Sequence, residues 1–280
     1  MTIDESINLA VQKIQSADAI LIHAGAGMSV DSGLPDFRSE GGFWKEYPVL
    51  KKHNISWYSI SDPDAFFKMP NLAWAFFGHR IKLYRKTSPH TGYKQLLKIC
   101  QSKKGGYFVF TSNCDGHFLK AGYDNELIEE CHGSIFILQC AYKCTSEIWE
   151  IDDELIEIDE LEFKAKEPLP ICKNCGKVAR PNLMLFGDGY YLKDRNRKQS
   201  EKFYHWMNLQ KEKNNHILII EIGTGTGVPT VRNQTEYFVK YRNMSLIRIN
   251  PVDYDVPEGQ ISIPLGALEA INLISDRLQV

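Results

Sequence analysis

The stretch from Ala19 to Arg38, AILIHAGAGMSVDSGLPDFR, constrains this chain more than any other. Ile20, Leu21 and Ile22 form a short continuous apolar run, the pattern of a strand buried on both faces of a parallel sheet. Gly25 and Gly27 follow at once with only Ala26 between them, so the backbone there can approach a phosphate closely. Ser29 and Ser32 can open a helix whose first amides face the same anion. Gly33-Leu34-Pro35-Asp36-Phe37-Arg38 then gathers an acid, an aromatic ring and a guanidinium in one stiff loop. Strand, glycine turn and helix start together describe one edge of a dinucleotide site. Position 30 is Val30, so the third glycine of the common dehydrogenase fingerprint is missing. A Gly-x-Gly turn alone also occurs where nothing binds.

The rest of the chain predicts an α/β fold around that strand. Ile7, Ala10, Val11 and Ile14 recur at helical spacing ahead of it. Further apolar runs at Tyr107 to Thr111, Ile217 to Ile222, Ser245 to Ile249 and Ile261 to Pro264 read as strands, and Ala267 to Leu278 as a closing helix. Strands alternating with helices predict a doubly wound, Rossmann-like parallel sheet. Gly41 to Lys86 is rich in aromatic residues and reads as short helices in a small helical insert. The acidic stretch from Glu147 to Glu162 reads as a solvated hairpin or loop.

At 280 residues the chain exceeds the usual single-domain size, so one large domain with a smaller insert is expected. A formal net charge of -2 argues against a general nucleic-acid binder. No apolar run approaches a membrane span, and Met1-Thr2-Ile3-Asp4-Glu5 lacks the basic start of a signal peptide, so a cytoplasmic location is expected. The 7 cysteines are an odd number, poor for disulfides and suited to a reducing compartment.

Four of them fall into two close pairs, Cys140-x-x-x-Cys144 and Cys172-x-x-Cys175. Each short turn presents two thiolates to one ion, the arrangement of a tetrahedral zinc site, and Gly176 suits the tight knuckle such a turn needs. All four positions would be filled by protein, so this zinc is structural. Cys100, Cys114 and Cys131 fall outside it.

Two further blocks carry chemistry. Thr111-Ser112-Asn113-Cys114-Asp115 ends a parallel strand, where open α/β sheets place ligand contacts. The Asp115 carboxylate can accept from an amide N–H, though Asn113 and Asp115 can equally serve as helix caps. Cys131-His132-Gly133 offers an imidazole able to take a proton near neutral pH. His117 is the competing candidate.

GAGMSVDSGLPDFR resembles the GAGxSxxSGIPDFR signature of the sirtuins, the NAD-dependent protein deacylases, and the resemblance runs from about Ala19 to Leu268. Thr111 to Gly122 is similar to the family's TQNIDxLHxxAG, with Ser112 in place of Gln, Cys114 in place of Ile, and His117-Phe118 in place of Leu-His. The resemblance implies that Gly25, Ala26, Gly27, Ser29, Asp36, Phe37, Arg38, Ser112, Asn113 and Asp115 bind NAD, with Asp115 holding the nicotinamide carboxamide. It implies that His132 is the base that deprotonates a ribose hydroxyl and that Asn113 positions water. Gly223, Thr224 and Gly225 resemble the family's turn beside ribose and phosphates, Asn250 its adenosine-ribose contact, and Ala267 its cover over adenine. The four cysteines match the family's zinc module. Phe186 and Gly187 resemble the segment that pairs with an extended acylated peptide by strand addition.

A subclass that removes succinyl and malonyl groups carries Tyr-x-x-Arg. Here Phe77-Gly78-His79-Arg80 keeps the arginine and loses the phenol, so Arg80 faces an acyl carboxylate or pairs at the surface. The implied domains are 1–38, 87–139 and 177–280 for NAD binding, 39–86 for the helical insert and 140–176 for the zinc module. The implied function is NAD-dependent lysine deacylation giving nicotinamide and O-acyl-ADP-ribose. Protein ADP-ribosylation, NAD hydrolysis and a non-catalytic NAD-binding module are the alternatives.

Overall fold

The computed structural model describes residues 1–35, 43, 45–52, 54–152 and 156–279. In chain order its strands are β1 (Ala19–Ala24), β2 (Tyr107–Thr111), β3 (Ile128–Glu130), β4 (Gly133–Cys140), β5 (Ile148–Glu150), β6 (Ile158–Asp159), β7 (Lys164–Ala165), β8 (Ala179–Leu183), β9 (Ile217–Ile222), β10 (Ser245–Ile249) and β11 (Ile261–Ile263). The chain divides into two compact units. One comprises Met1–Gly33, Ser88–Cys131 and Asn196–Val280, and the other Leu34–Thr87 and His132–Arg195.

The first unit holds a parallel sheet in the order β11-β10-β9-β1-β2-β3. Such an order, with the direction of winding reversing between β1 and β9, is the doubly wound Rossmann arrangement. Every residue of β1 and β9 is buried, which explains the apolar runs Ile20–Ile22 and Ile217–Ile220. Ile20 and Ile22 join one apolar layer with Ile14 and Ile271, while Leu21 joins the other with Phe203 and Phe238. Successive strand residues point to opposite faces, so each face of the sheet acquires its own helical cover. The leading helix, Ile3–Ser16, opens on a capping box: Glu5 N donates to Thr2 Oγ1 at 3.2 Å and Thr2 N to Glu5 Oε2 at 2.7 Å. Its buried Ile7, Ala10 and Ile14 realise the helical spacing of the sequence.

Strands β1, β9 and β10 each bury one charged or titratable side chain, His23, Glu221 and Arg248. Glu221 and Arg248 are register partners on β9 and β10, both at 1% exposure or less, and Arg248 Nη2 donates to Glu221 Oε2 at 3.3 Å. Breaking such a pair from one side leaves an uncompensated buried charge, typically costing about 3–5 kcal/mol. His23, fully buried on β1, bonds Thr235 Oγ1 through Nδ1 at 2.6 Å and lies against the Phe110 and Phe238 rings. Burial lowers its pKa from the ordinary 6.5 to about 3.

That shift has a signed consequence. Between those two values the unfolded chain binds a proton that the folded chain refuses, so stability falls as pH drops through 6.5 toward 3. The expected loss is roughly 1.4 kcal/mol per pH unit within the window. Urea melts at stepped pH should show this slope in the wild type and a shallower one in His23→Gln. Equal slopes, or an NMR titration finding the folded imidazole protonated at about pH 5, would contradict the assignment.

In the second unit β4 pairs antiparallel with β5 and β8, and β6 with β7. The aromatic-rich segment forms short helices at Pro48–Lys52, Trp57–Ile60 and Ala65–Lys68, but then one long helix, Pro70–Lys86. Its length was obscured in the sequence because residues 73–78 are buried without a break, so no polar face marks its period before Lys82 and Lys86. Trp74 Nε1 donates to Ala179 O at 3.0 Å, tying this helix to β8. At the end of the acidic stretch β6 pairs with β7, which follows it, in a hairpin with Leu161 94% exposed. Its Lys164–Glu162 and Lys166–Glu157 pairs are exposed and worth little. Among the described residues no helix is long and apolar enough to cross a membrane.

Candidate functional site

The reversal of winding between β1 and β9 leaves a crevice beyond their C-terminal ends, where open α/β sheets bind ligands. Two glycine turns meet there. Gly25 N donates to Ile222 O at 2.9 Å and Gly27 N to Gly223 O at 3.0 Å. A Cβ on Gly27 would lie 2.6 Å from Gly223 Cα, and one on Gly223 (φ +62°) 2.4 Å from Gly27 Cα. The glycines are therefore required first by turn-on-turn packing, and the sequence reading, which gave them only to phosphate approach, missed this. Gly25 is similarly confined, with a Cβ 2.6 Å from Gly223 O.

Ser29 sits in the short helix Gly27–Val30 that follows. Its Oγ lies 2.6 Å from Asp115 Oδ2 and 2.9 Å from Tyr93 OH. Asn113 Nδ2 donates to Gly25 O at 2.9 Å and to Ser29 Oγ at 3.4 Å. Asn113 and Asp115 reach this point because β2 runs beside β1 and ends level with it, Thr111 opposite Ala24. Thr111 Oγ1 donates to Ala24 O at 3.0 Å and accepts from Asn113 N at 3.0 Å, while Ser112 N donates to Ala24 O at 3.1 Å. Asp115 Oδ1 accepts from His117 N at 2.9 Å, a contact two residues on, while the N-cap of the short helix His117–Lys120 is Gly116. Asp115 therefore braces the approach to this helix without being its cap. Ser29, Ser112, Asn113 and Asp115 are all at most 7% exposed, a cluster of polar groups where burial demands partners.

On the other side of the switch point, the buried Thr224 donates through Oγ1 to Glu221 Oε1 at 2.6 Å, and its carbonyl accepts from Asn250 Nδ2 at 2.8 Å. Asn250 Oδ1 in turn accepts from Val252 N and Asp253 N at 2.9 and 3.0 Å. Arg232 Nη1 reaches Thr224 O at 3.4 Å and Nη2 reaches Asp253 O at 2.9 Å. Gly223, Thr224 and Asn250 are therefore brought together. Gly225 stays open, its nearest neighbour being Asp253 Oδ2 at 3.7 Å from an added Cβ. Ala267 begins the helix Ala267–Leu278, whose next amide, Leu268 N, is held by Asp31 Oδ2 at 2.8 Å. Asp36, Phe37 and Arg38 lie outside the described residues.

In the second unit His132 precedes Gly133, which opens β4 at φ +83° with Asn182 O only 2.1 Å from where a Cβ would be. Only glycine fits there, and His132 O accepts from Met184 N at 2.9 Å. Continuing from Met184, Phe186 N donates to Ser61 O at 3.1 Å and its ring packs against Tyr58 at 4.7 Å. Gly187 takes φ +64°. The loop is fixed by Asp188, whose side chain is fully buried and receives both Arg180 Nη2 contacts, at 2.9 and 2.7 Å, and Tyr190 N at 2.9 Å. Arg80 is buried, not at the surface. Its Nη2 donates to Tyr84 OH at 2.7 Å, and its guanidinium lies 5.4 Å from the Trp57 and Phe76 ring centroids.

The four paired cysteines also converge. Cys140 and Cys175 sulfurs lie 3.7 Å apart, Cys144 and Cys172 sulfurs 3.6 Å, and all four sulfurs fall within 4.8 Å of one another. A tetrahedral four-thiolate site with bonds of about 2.3 Å has edges of about 3.8 Å. The donor set therefore fits zinc, and all seven cysteines are free of disulfides. Both knuckles are shaped by left-handed residues, Lys143 and Gly176, with Gly176 N donating to Cys172 O at 2.9 Å. Asn174 Nδ2 donates to Cys144 Sγ at 3.3 Å.

A Rossmann-ordered sheet with polar groups gathered at its switch point, in a chain whose second unit bears a four-cysteine centre, defines a dinucleotide-binding protein with a structural metal module. The Sir2 family model matches residues 25–230, and the chain belongs to that family. An NAD-dependent protein deacylase of Aquifex aeolicus is 28% identical over 232 residues, 83% of each chain. One from Thermococcus sibiricus is 32% identical over 185 residues, 62% of this chain but only 65% of that relative. Among solved structures, Sir2Tm bound to a propionylated peptide superposes with a TM-score of 0.68 at 20% identity, covering 100% of this chain and 99% of the other. A Sir2 homologue in complex with ADP-ribose gives 0.67 at 22% identity, covering 97% and 96%. These likenesses establish the fold.

Proposed function

We propose that this chain is an NAD-dependent protein lysine deacylase. The observation that carries the reading is the buried Ser29–Asn113–Asp115 cluster at the switch point of a Sir2-family sheet. Relatives named as NAD-dependent protein deacylases support it. In this reading NAD is consumed: its nicotinamide–ribose bond breaks as the acyl oxygen of the substrate lysine bonds to the same ribose carbon. Asp115 accepts a hydrogen bond from the carboxamide, and Asn113 orients water. His132 takes a proton from a ribose hydroxyl. The main chain around Phe186 and Gly187 pairs with the extended substrate, and the four cysteines hold zinc as a structural clip. The products are nicotinamide, O-acyl-ADP-ribose and free lysine.

Arg80 is enclosed by rings and Tyr84, so in this reading it selects acyl groups only where a chain reaches into that enclosure. Free thiols and a thiolate centre suit a reducing compartment such as the cytoplasm.

The deciding experiment is mass spectrometry of products after incubation with NAD and a panel of acyl-lysine peptides. Deacylated peptide and O-acyl-ADP-ribose in equal amounts are expected. ADP-ribose fixed to protein with no peptide consumed would establish ADP-ribosyl transfer instead, a route to which the Ser112 and Cys114 departures point. Equal NAD consumption with and without peptide would establish hydrolysis.

A further inference from the structure

We infer that Tyr93 is a positioning residue for the nicotinamide end of the site, acting on Asp115 through Ser29; this rests on the functional reading above. The inference follows from counting hydrogens. A carboxylate only accepts, so the single hydroxyl hydrogen of Ser29 lies on its 2.6 Å contact with Asp115 Oδ2. The 2.9 Å contact between Ser29 Oγ and Tyr93 OH then needs its hydrogen from Tyr93. The chain has one direction: Tyr93 donates to Ser29, and Ser29 donates to Asp115. Asn113 Nδ2 supplies the remaining, longer contact to Ser29 Oγ at 3.4 Å.

Several features hold this direction in place. Tyr93, Ser29 and Asp115 are 0%, 2% and 5% exposed, so no bulk water competes for the hydrogens. Burial and the nearby Asp115 charge push the phenol well above its ordinary pKa and keep it a donor. Its ring is clamped edge-on by His117 and Phe118, and its own carbonyl accepts from Tyr123 OH at 2.9 Å. Asp115 Oδ1 is fixed by His117 N, which leaves Oδ2 as the oxygen whose orientation depends on Ser29. Without the phenol hydrogen, Ser29 Oγ keeps only the 3.4 Å Asn113 contact as a donor to it, so its rotamer, and with it the Asp115 Oδ2 contact, is held less firmly. The committed Ser29 hydrogen also means that Ser29 offers a bound phosphate no hydroxyl donor in this arrangement.

Tyr93→Phe removes the oxygen and keeps the ring. The test measures nicotinamide exchange and, separately, binding of ADP-ribose, which lacks nicotinamide. Exchange should fall roughly tenfold or more, in kcat rather than in KM for NAD, with ADP-ribose affinity within about twofold of wild type. In a Ser29→Ala background the same substitution should do nothing further, because the path to Asp115 is already cut. Unchanged exchange in Tyr93→Phe, or equal losses in both backgrounds, overturns the inference. Lost ADP-ribose binding in Tyr93→Phe also counts against it, since the hydroxyl would then support the whole site. A wild-type chain that neither binds ADP-ribose nor releases nicotinamide removes the functional reading as well; wild-type exchange with an unaffected Tyr93→Phe removes this inference alone.

Discussion

His132→Ala is expected to lower deacylation by about 10²- to 10⁴-fold, the usual contribution of a general base. NAD binding should survive, because Ser29, Asn113 and Asn250 at the β1–β9 switch point are held by Asp115, Gly25 and Thr224. Nicotinamide exchange should survive better than net turnover, since exchange needs only the first bond change and the base acts after it. The contrast between the two assays is the informative quantity. Asp115→Ala should fail in both, because it loosens the grip on nicotinamide itself. Equal losses of exchange and turnover in His132→Ala would show that the imidazole serves binding or folding instead. The Gly133 constraint makes His132→Ala the right probe, as it leaves untouched the neighbouring backbone position, where an added Cβ would meet Asn182 O at 2.1 Å.

The second large effect concerns the thiolate centre. Cys172→Ser is expected to lose bound zinc, from one ion per chain to a small fraction of that. Zinc binding free energy in such modules is folding free energy, on the order of 10 kcal/mol. Hydrogen exchange should accordingly rise across 132–195 while β1, β9 and β10 keep their protection. Cys172 is the telling choice because it is 1% exposed and its N–H closes the knuckle on Lys177 O at 2.7 Å. Serine there leaves a hydroxyl that binds zinc poorly. Full zinc occupancy in the variant, or unchanged exchange in 132–195, would remove the metal from the folding of this unit.

The central strands were legible because burial on both faces leaves apolar runs such as Ile20–Ile22 and Ile217–Ile220, and the four cysteines because metal spacing is local. β3 was not: Ile128-Glu129-Glu130 carries two acids and spans only three residues, yet both glutamates are buried. Ser200 Oγ donates to Glu129 Oε1 at 2.6 Å, a partner 71 residues away. The same distance problem hid Tyr93. It lies in the helix Thr91–Gln101 among Leu96, Leu97 and Cys100, where a tyrosine reads as core, and its hydroxyl meets Ser29 only after folding. Gly27 illustrates a different gap. The sequence shows that a side chain is unwelcome there, whereas the reason, the Gly223 turn, comes from the other end of the chain.

The pairing of β1 with β9 also sets a schedule. Ala19 stands opposite Ile217 in the sheet, so the strand that anchors the glycine turn has its neighbour on one side supplied about 200 residues later. Ribosomes add about 5–20 residues per second, so β1 waits on the order of 10 to 40 s before that edge can close. During this interval its sequence is an apolar segment with an open hydrogen-bonding edge, the kind of surface that chaperones shield. Vectorial synthesis thus makes the nascent chain most vulnerable at the very segment on which the finished site depends.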